Sequence, residues 1–156
     1  MKIKLVIIGK TDESYIKEGV SKYVARLKHY TSFEIVEIPD VKMGKKQNIS
    51  KQKELEGKEI LKHVAKSSFV VLLDEKGREF TSVGYAQFMQ KRMNTGLDLM
   101  FVIGGPFGFS DEIYAVSNQK IALSQMTFSH QMVRLFFTEQ LYRAFSILKG
   151  EKYHHD

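Results

Sequence analysis

The sequence predicts a three-layer α/β domain built on a mostly parallel sheet of five to six strands. Two observations lead to this fold class. Short apolar runs alternate five times with segments of helical periodicity. The third and fourth runs are apolar at nearly every position, which is typical of strands covered on both faces. Because no linker and no internal repeat divides the 156 residues, we expect a single domain over residues 1–156.

Each predicted element begins or ends at a recognisable signal. The predicted strands span residues 2–9, 33–38, 68–74, 97–105 and 120–124. The predicted helices span residues 11–29, 50–66, 82–93, 110–118 and 130–149. Thr11 is a suitable N-cap for the first helix, Pro39 closes the second strand, and Gly150 ends the last helix. We expect a polar loop over residues 40–48 and a turn at EKGREF, residues 75–80.

Composition excludes several kinds of chemistry. The chain has no cysteine, which excludes disulfides, thiolate zinc sites, iron–sulfur clusters and cysteine nucleophiles. The first apolar run covers only residues 5–9, too short for a signal peptide or a membrane span, so we expect a cytoplasmic protein without a membrane partner. The His154-His155 pair has no accompanying carboxylate cluster, and we expect no metal site.

The chain carries a formal net charge of +6. This excess fits either an ordinary solvated surface or a polyanionic partner whose phosphates the cations would neutralise. The densest basic stretch lies between residues 42 and 62, where interspersed glutamates leave a solvated helix face and an RNA surface equally open.

The last predicted helix is apolar around most of its circumference. Its apolar residues cover far more than the ~100° stripe expected of a surface helix. They are Met132, Val133, Leu135, Phe136, Phe137, Leu141, Tyr142, Ala144, Phe145, Ile147 and Leu148. We favour a homodimer interface as the cover for the second side, with complete burial inside one chain as the alternative.

Two loops follow the carboxyl ends of apolar strands, at residues 104–109 (GGPFGF) and 124–129 (SQMTFS). Ligands bind outside these strand ends in open α/β sheets. Together with Leu73 and Asp74, the loops predict a pocket of backbone amides and apolar side chains, which suits an adenosine-like ligand better than a bare phosphate. The residues alone leave open whether the first two glycines admit a ligand or only turn the chain.

The stretches FVIGGPFGFS and LSQMTFSHQMVRLFFTEQLYRAFSILKGEKYHHD resemble the C-terminal half of a known enzyme family. That family, bacterial and organellar, methylates pseudouridine in large-subunit ribosomal RNA and belongs to the SPOUT superfamily of knotted methyltransferases. The likeness extends to MKIKLVIIGK, to YVARLKHY and to the strand before Asp74, so it covers essentially the whole chain. Its most specific part is TF-x-HQ-x-x-R followed by EQLYRAF and a terminal YH. The chain departs from the family at Ser129, where a proline is usual and would stiffen the loop by fixing φ.

The resemblance implies an enzyme that transfers a methyl group from S-adenosylmethionine to N3 of a pseudouridine in the assembled ribosome. It also implies a C-terminal trefoil knot in which the cofactor binds, and a homodimer that packs through the knot region. The implied cofactor-binding residues are Leu73, Gly104, Gly105, Leu123, Ser124, Gln125, Met126, Thr127 and Phe128.

The resemblance also directs attention to the C-terminal residues as the catalytic group. We expect Arg143 to stabilise the base anion or bind a phosphate, with Glu139 as its i,i+4 partner. Tyr153 and His154 are expected to fold over the pocket and contact the nucleotide, with a disordered tail as the alternative. His130 is expected to cap the last helix and to orient the loop before it.

Three other functions remain open from the sequence. One is a related knotted methyltransferase that acts on transfer RNA. Another is a non-catalytic RNA-binding module associated with the ribosome, which keeps the pocket without the chemistry. A flavodoxin-like electron carrier is the alternative that the strand and helix pattern alone would allow.

Overall fold

The computed structural model describes residues 1–46 and 48–155. Gln47, in the predicted loop over residues 40–48, and Asp156, at the end of the predicted tail, lie outside the described residues. The strands are β1 (Lys2–Ile8), β2 (Ser32–Ile38), β3 (Phe69–Arg78), β4 (Leu99–Ile103) and β5 (Gln119–Ile121). The helices are α1 (Ser14–Leu27), α2 (Ile49–Leu61), α3 (Ser82–Thr95), α4 (Asp111–Val116) and α5 (His130–Leu148).

The five described strands form one sheet in the order β2-β1-β4-β3-β5, and every neighbouring pair is parallel. The predicted α/β class with a parallel sheet is therefore confirmed. All five residues of β4 are buried, as its continuous apolar sequence predicts for a central strand. The trefoil knot implied by the resemblance stays a prediction.

Helices cover both faces of the sheet. Alternate residues of β1 point to opposite faces, so Leu5 joins one core and Val6 the other. The first core packs against α1, α3 and α5 through side chains that include Leu27, Met89 and Leu141. The second core packs against α2 and α4. These three layers agree with the architecture predicted from the sequence.

The end of β3 differs from the prediction. The strand continues to Arg78, so the turn predicted over residues 75–80 is wrong for residues 75–78. The ladder is irregular there, because Leu73 and Arg78 both pair with Ile121 of β5. Gly77 permits the close approach, since a Cβ at this position would lie 2.5 Å from the backbone N and C atoms of Ile121. β5 itself ends at Ile121, earlier than predicted.

The start of α1 also differs. The helix begins at Ser14 with Glu13 as its N-cap, and no side chain caps it, so the predicted cap at Thr11 is wrong. Thr11 is buried, and its hydroxyl accepts a hydrogen bond from Arg134 Nη1 at 3.0 Å. The Thr11 side chain therefore makes a tertiary contact with Arg134 instead of capping the helix.

The last helix is only partly covered by its own chain. Phe137, Leu141 and Phe145 are buried, whereas Phe136 remains 38% exposed. Complete burial of α5 within one chain, the alternative raised by its sequence, is therefore not what the structure has. Within the described part of the chain, no helix has both the length and the apolar character needed to cross a bilayer.

Candidate active site

A cavity of about 680 Å³ lies at the carboxyl edge of the sheet, where β4, β3 and β5 end side by side. The loops after β4 and β5 form its walls, and Lys53 of α2 and Val133 of α5 also contribute to the lining. The topology therefore brings together the two loops that the sequence singled out. The loops lie close together because β4 and β5 flank β3 in the sheet, although the loops are about twenty residues apart along the chain.

Most of the predicted cofactor-binding residues line this cavity. They are Leu73, Gly104, Gly105, Leu123, Ser124, Met126, Thr127 and Phe128, and His130 lines it as well. Gln125 is exposed and does not belong to the lining. Met126 is 78% exposed, so the loop after β5 presents a large apolar side chain to solvent beside the cavity.

The space beside the two glycines after β4 is filled by the chain itself. A Cβ at Gly104 would lie 3.0 Å from the ring of Phe109, and one at Gly105 would lie 2.7 Å from both carboxylate oxygens of Glu56. Gly108 has a φ of 84°, and its N–H donates to the Gly105 carbonyl at 3.2 Å, which closes a tight turn. Packing within the chain therefore explains why these two positions are glycine, because a Cβ would meet Phe109 or Glu56.

Glu56 packs beneath the loop after β4, a role that its sequence context did not predict. Its side chain is buried beneath the glycine loop, where it accepts a hydrogen bond from Gln52 Nε2 at 3.1 Å. Burial is the main cause of the raised pKa of this carboxyl. Its position four residues before Ile60, on the apolar stripe of α2, was the signal that could have distinguished it from the solvated glutamates.

A second missed contact lies on the α4 side of the cavity. The Tyr114 hydroxyl donates to Asp74 Oδ2 at 2.5 Å, and the Lys76 N–H donates to Asp74 Oδ1 at 2.8 Å. Burial, followed by the carboxylate of Asp74, raises the pKa of Tyr114 to about 12, so the phenol remains protonated at neutral pH. The pair holds the middle of β3 against α4.

The start of α5 borders the cavity. Ser129 is its N-cap, and the Ser129 hydroxyl accepts a hydrogen bond from the Met132 N–H at 3.2 Å. The predicted capping role of His130 is therefore wrong, because His130 is the first helical residue. Ser129 has a φ of −60°, within the range that proline would impose, so this serine supplies a cap at a backbone geometry that the usual proline would also adopt.

The HQ-x-x-R motif binds the loop that follows β1. Gln131 accepts a hydrogen bond from the Asp12 N–H at 2.9 Å and donates to the Lys10 carbonyl at 3.1 Å. The guanidinium of Arg134 is 1% exposed, and its Nη2 donates to the Ile8 carbonyl at 2.7 Å. The most specific part of the resemblance thus joins the last helix to the first strand.

The predicted catalytic residues form a second cluster at the other end of α5. Arg143 donates to Glu139 Oε1 through Nε at 3.1 Å and Nη2 at 2.5 Å, and its Nη1 lies 3.2 Å from His154 Nδ1. The Tyr153 hydroxyl donates to the same Glu139 oxygen at 2.9 Å, and its ring lies 4.7 Å from the Arg143 guanidinium. The described part of the tail therefore packs against α5, and the disordered alternative is not what the structure has.

The hydrogen bonds to Glu139 raise the pKa of Arg143, so this guanidinium remains charged over any accessible pH range. Tyr153 is also held by Tyr23 of α1, whose hydroxyl lies 3.3 Å from its own. The cluster consequently presents a fixed cation beside an aromatic ring.

The cavity and the tail cluster do not meet within one chain. None of Glu139, Arg143, Tyr153 and His154 lines the cavity, whose last contribution from α5 is Val133. Arg143 lies ten residues further along the helix, about 15 Å along its axis at the usual rise per residue.

The lysine-rich helix α2 carries surface ion pairs. Glu54 pairs with Lys51 and Lys58, and Glu59 pairs with Lys62. Exposed pairs of this kind contribute little to stability, because solvent screens them. Lys53 differs from these lysines because it lines the cavity. Among the described residues, no group of three or more histidines or carboxylates is arranged to hold a metal ion.

These features define a parallel α/β protein with a ligand cavity formed by loops at the carboxyl edge of its sheet. The family model described as "Predicted SPOUT methyltransferase" matches residues 1–154. This match covers nearly the whole chain, and the chain therefore belongs to the SPOUT methyltransferase family.

Curated relatives are similar over their full length. A protein of Christiangramia forsetii named ribosomal RNA large subunit methyltransferase H is 58% identical, over 99% of each chain. The protein of the same name from Cytophaga hutchinsonii is 55% identical, over 99% of this chain and 100% of its own. Among solved structures, a probable methylase family protein from Haemophilus influenzae shares the fold, with a TM-score of 0.55 and 15% identity over 99% of this chain and 70% of its own.

Proposed function

We propose that this chain is a single-domain enzyme that transfers a methyl group from S-adenosylmethionine to N3 of a pseudouridine in large-subunit ribosomal RNA. The observation that carries the proposal is the full-length similarity, at up to 58% identity, to proteins named ribosomal RNA large subunit methyltransferase H. The fold and the cavity support it, since eight of the nine residues that the resemblance assigns to the cofactor line one cavity. A ribosomal substrate favours the cytoplasm as the location.

The chemistry of the cavity wall fits S-adenosylmethionine. Leu73, Leu123 and Phe128 offer apolar surface for an adenosine, and the loops supply backbone donors and acceptors. Asp74 and Asp111 also line the cavity, and their carboxylates suit a cofactor that carries positive charge on its sulfonium and amino groups. When bound, the cofactor supplies a methyl group on a positively charged sulfur.

The tail cluster suits the nucleotide side of the reaction. The imide N3 of the base must lose its proton to solvent water, and Arg143 can stabilise the resulting negative charge because its guanidinium stays protonated. Glu139 holds that guanidinium in a fixed orientation through two hydrogen bonds, which limits the reorganisation needed during the reaction. Tyr153 offers an aromatic face for stacking, and His154 a ring nitrogen for the nucleotide or its phosphate.

The separation of the cavity and the tail cluster favours a homodimer in which two chains complete each site. The distance of about 15 Å along α5 is too long for direct contact between Arg143 and a base at the cavity of the same chain. The exposed Phe136 on α5 offers apolar surface for a second copy. We therefore propose that the tail of one subunit faces the cavity of its partner across the implied knot region.

The substrate is tested by methyl transfer from cofactor with a labelled methyl group. Assembled ribosomes, separated small subunits and transfer RNA, all lacking the modification, would be incubated separately with the protein. We expect label in the large-subunit RNA of the assembled ribosomes alone. Label on transfer RNA would indicate the related knotted enzyme, and cofactor binding without transfer to any RNA would indicate a non-catalytic RNA-binding module.

A further inference from the structure

The segment YVARLKHY, residues 23–30, is a part of the family resemblance that has no role in the site described above. It covers the end of α1 and the turn that follows. Three of its side chains, spaced three and four residues apart, contact the ring of Tyr142 on α5. They are Tyr23, Arg26 and Tyr30. The segment therefore presents one face to the part of α5 from which the C-terminal tail emerges.

Tyr30 holds the start of the tail. Its hydroxyl donates a hydrogen bond to Glu151 Oε2, and its ring stacks against Phe145 of α5 with the ring centroids 5.8 Å apart. The Glu151 N–H donates to the Ser146 carbonyl at 3.0 Å, so the backbone and the side chain of this residue are both held. The hydrogen bond to Glu151 is the main cause of the raised pKa of Tyr30, and the phenol therefore keeps its proton at neutral pH.

Tyr23 holds the tail further along. The Tyr153 hydroxyl donates its single proton to Glu139 Oε1, so Tyr23 is the donor in the hydrogen bond of 3.3 Å between the two hydroxyls. A chain of hydrogen bonds thus runs from α1 through the tail to the carboxylate that orients Arg143. The guanidinium of Arg26 lies 5.7 Å from the centre of the Tyr23 ring and steadies it.

We propose that Tyr23 and Tyr30 are positioning residues for methyl transfer, which hold the tail so that Tyr153 and Arg143 face the nucleotide together. This inference rests on the proposed function, in which the tail contacts the nucleotide. A short segment beyond the end of a helix ordinarily frays. The two phenol hydroxyls supply attachments to another part of the chain, and these oppose fraying at the base of the tail and again two residues further on.

The test replaces each tyrosine by phenylalanine, which removes the hydroxyl and keeps the ring. Tyr15→Phe is the matched control, because Tyr15 is 60% exposed at the other end of α1. Labelled methyl transfer to unmodified assembled ribosomes would give kcat and KM, and calorimetry would give the Kd of S-adenosylhomocysteine. Hydrogen exchange over residues 150–155 would report how firmly the tail is held, and thermal unfolding would report the stability of the whole fold.

We expect Tyr23→Phe and Tyr30→Phe each to lower kcat about five- to tenfold, the effect of losing one hydrogen bond that orders the reacting groups. Hydrogen exchange in the tail should become faster, because the tail opens more often. The Kd of S-adenosylhomocysteine and the melting temperature should match those of Tyr15→Phe, since neither substitution touches the cavity or the core. A role in general stability would instead move the melting temperature and the Kd along with kcat.

The bond between Tyr30 and Glu151 can be tested by itself. Glu151→Ala should lower kcat as much as Tyr30→Phe does, and the two substitutions together should cost no more than either alone, because they remove the same hydrogen bond. Glu151→Gln keeps a carbonyl oxygen that can accept from Tyr30, so it should retain most of the activity. Losses that multiply in the double variant would overturn the assigned pairing.

The positioning role is overturned if kcat for Tyr23→Phe and Tyr30→Phe equals that of the control, or if it falls only together with the melting temperature and the affinity for S-adenosylhomocysteine. The wild-type protein separates this failure from failure of the proposed function. If it methylates ribosomes while both variants behave like the control, the positioning role alone falls. If it binds the cofactor and methylates no RNA, the proposed function falls and the positioning role falls with it.

Discussion

Single residues beneath the loop after β4 account for its shape. Gly105 has no room for a Cβ because the buried carboxylate of Glu56 occupies that direction. The sequence predicts that the loop needs glycine, since the pattern GGPFG follows an apolar strand. It could not predict what fills the space, because Glu56 is about fifty residues earlier and is buried only by the tertiary packing of α2.

The substitution Gly105→Ala tests this packing. We expect it to lower the free energy of unfolding by about 1–3 kcal/mol, as overpacking does, and to weaken cofactor binding by shifting the loop. Adding Glu56→Ala to the same chain should recover part of the loss, since it empties the space that the new methyl group needs. Gly44→Ala is the control, because nothing lies within 4 Å of a Cβ at Gly44. Equal unfolding curves for Gly105→Ala and Gly44→Ala would contradict the account.

Ser129 illustrates how a departure from a family pattern can be neutral. Its hydroxyl caps α5, so Ser129→Ala should destabilise the protein by about 1 kcal/mol. Ser129→Pro loses the same cap but restricts the unfolded chain at a compatible φ, a gain of about 0.4–1 kcal/mol. We expect the proline variant to unfold closer to wild type than the alanine variant in urea denaturation. The reverse order would show that the loop does not tolerate proline.

At the scale of elements, the irregular end of β3 is the feature that local sequence least predicts. Residues 75–77 (EKG) have the composition of a turn, yet the strand runs on to Arg78 and doubles its pairing with Ile121. The long apolar strands and their order of appearance were sufficient for the fold class. They were not sufficient for the ends of the elements. Thr11 accepts a hydrogen bond from Arg134, and Gly77 packs against the backbone of Ile121, so both ends depend on partners that are distant in sequence.

The close approach of β5 to β3 depends on Gly77. A methyl group there would meet backbone atoms that cannot rotate away, so Gly77→Ala should destabilise the protein at least as much as Gly105→Ala, whose obstacle is a side chain. Urea denaturation of both variants, with Gly44→Ala as the common control, measures the order. A Gly77→Ala protein as stable as the control would mean that β5 does not approach β3 as described.

At the scale of the molecule, the sequence and the resemblance named two groups of site residues, and the structure separates them along α5. Leu73, Gly104 and the loop after β5 border one cavity, whereas Arg143, Tyr153 and His154 cluster beyond its reach. Spacing in the sequence could not reveal this, because Phe128 of the first group and Arg143 and Tyr153 of the second all lie within or close to the same helix. We propose that a second chain brings the two groups together.

Mixed dimers test that proposal. A chain lacking residues 151–156 should keep its fold by circular dichroism, bind S-adenosylmethionine normally and show no methyl transfer. Thr127→Trp should also be inactive, because the larger side chain fills the main cavity while the tail stays intact. Dimers that contain one chain of each kind should recover activity, since one intact cavity then faces one intact tail. If mixing restores nothing while both chains stay folded and dimeric, each site is built from a single chain.

The most direct measurement identifies the nucleoside that receives the methyl group. Unmodified assembled ribosomes would be incubated with the protein and cofactor with a labelled methyl group, and the RNA would be digested to nucleosides for mass spectrometry. We expect one labelled product, pseudouridine methylated at N3. Label on any other nucleoside, or no label from a protein that binds the cofactor, would contradict it.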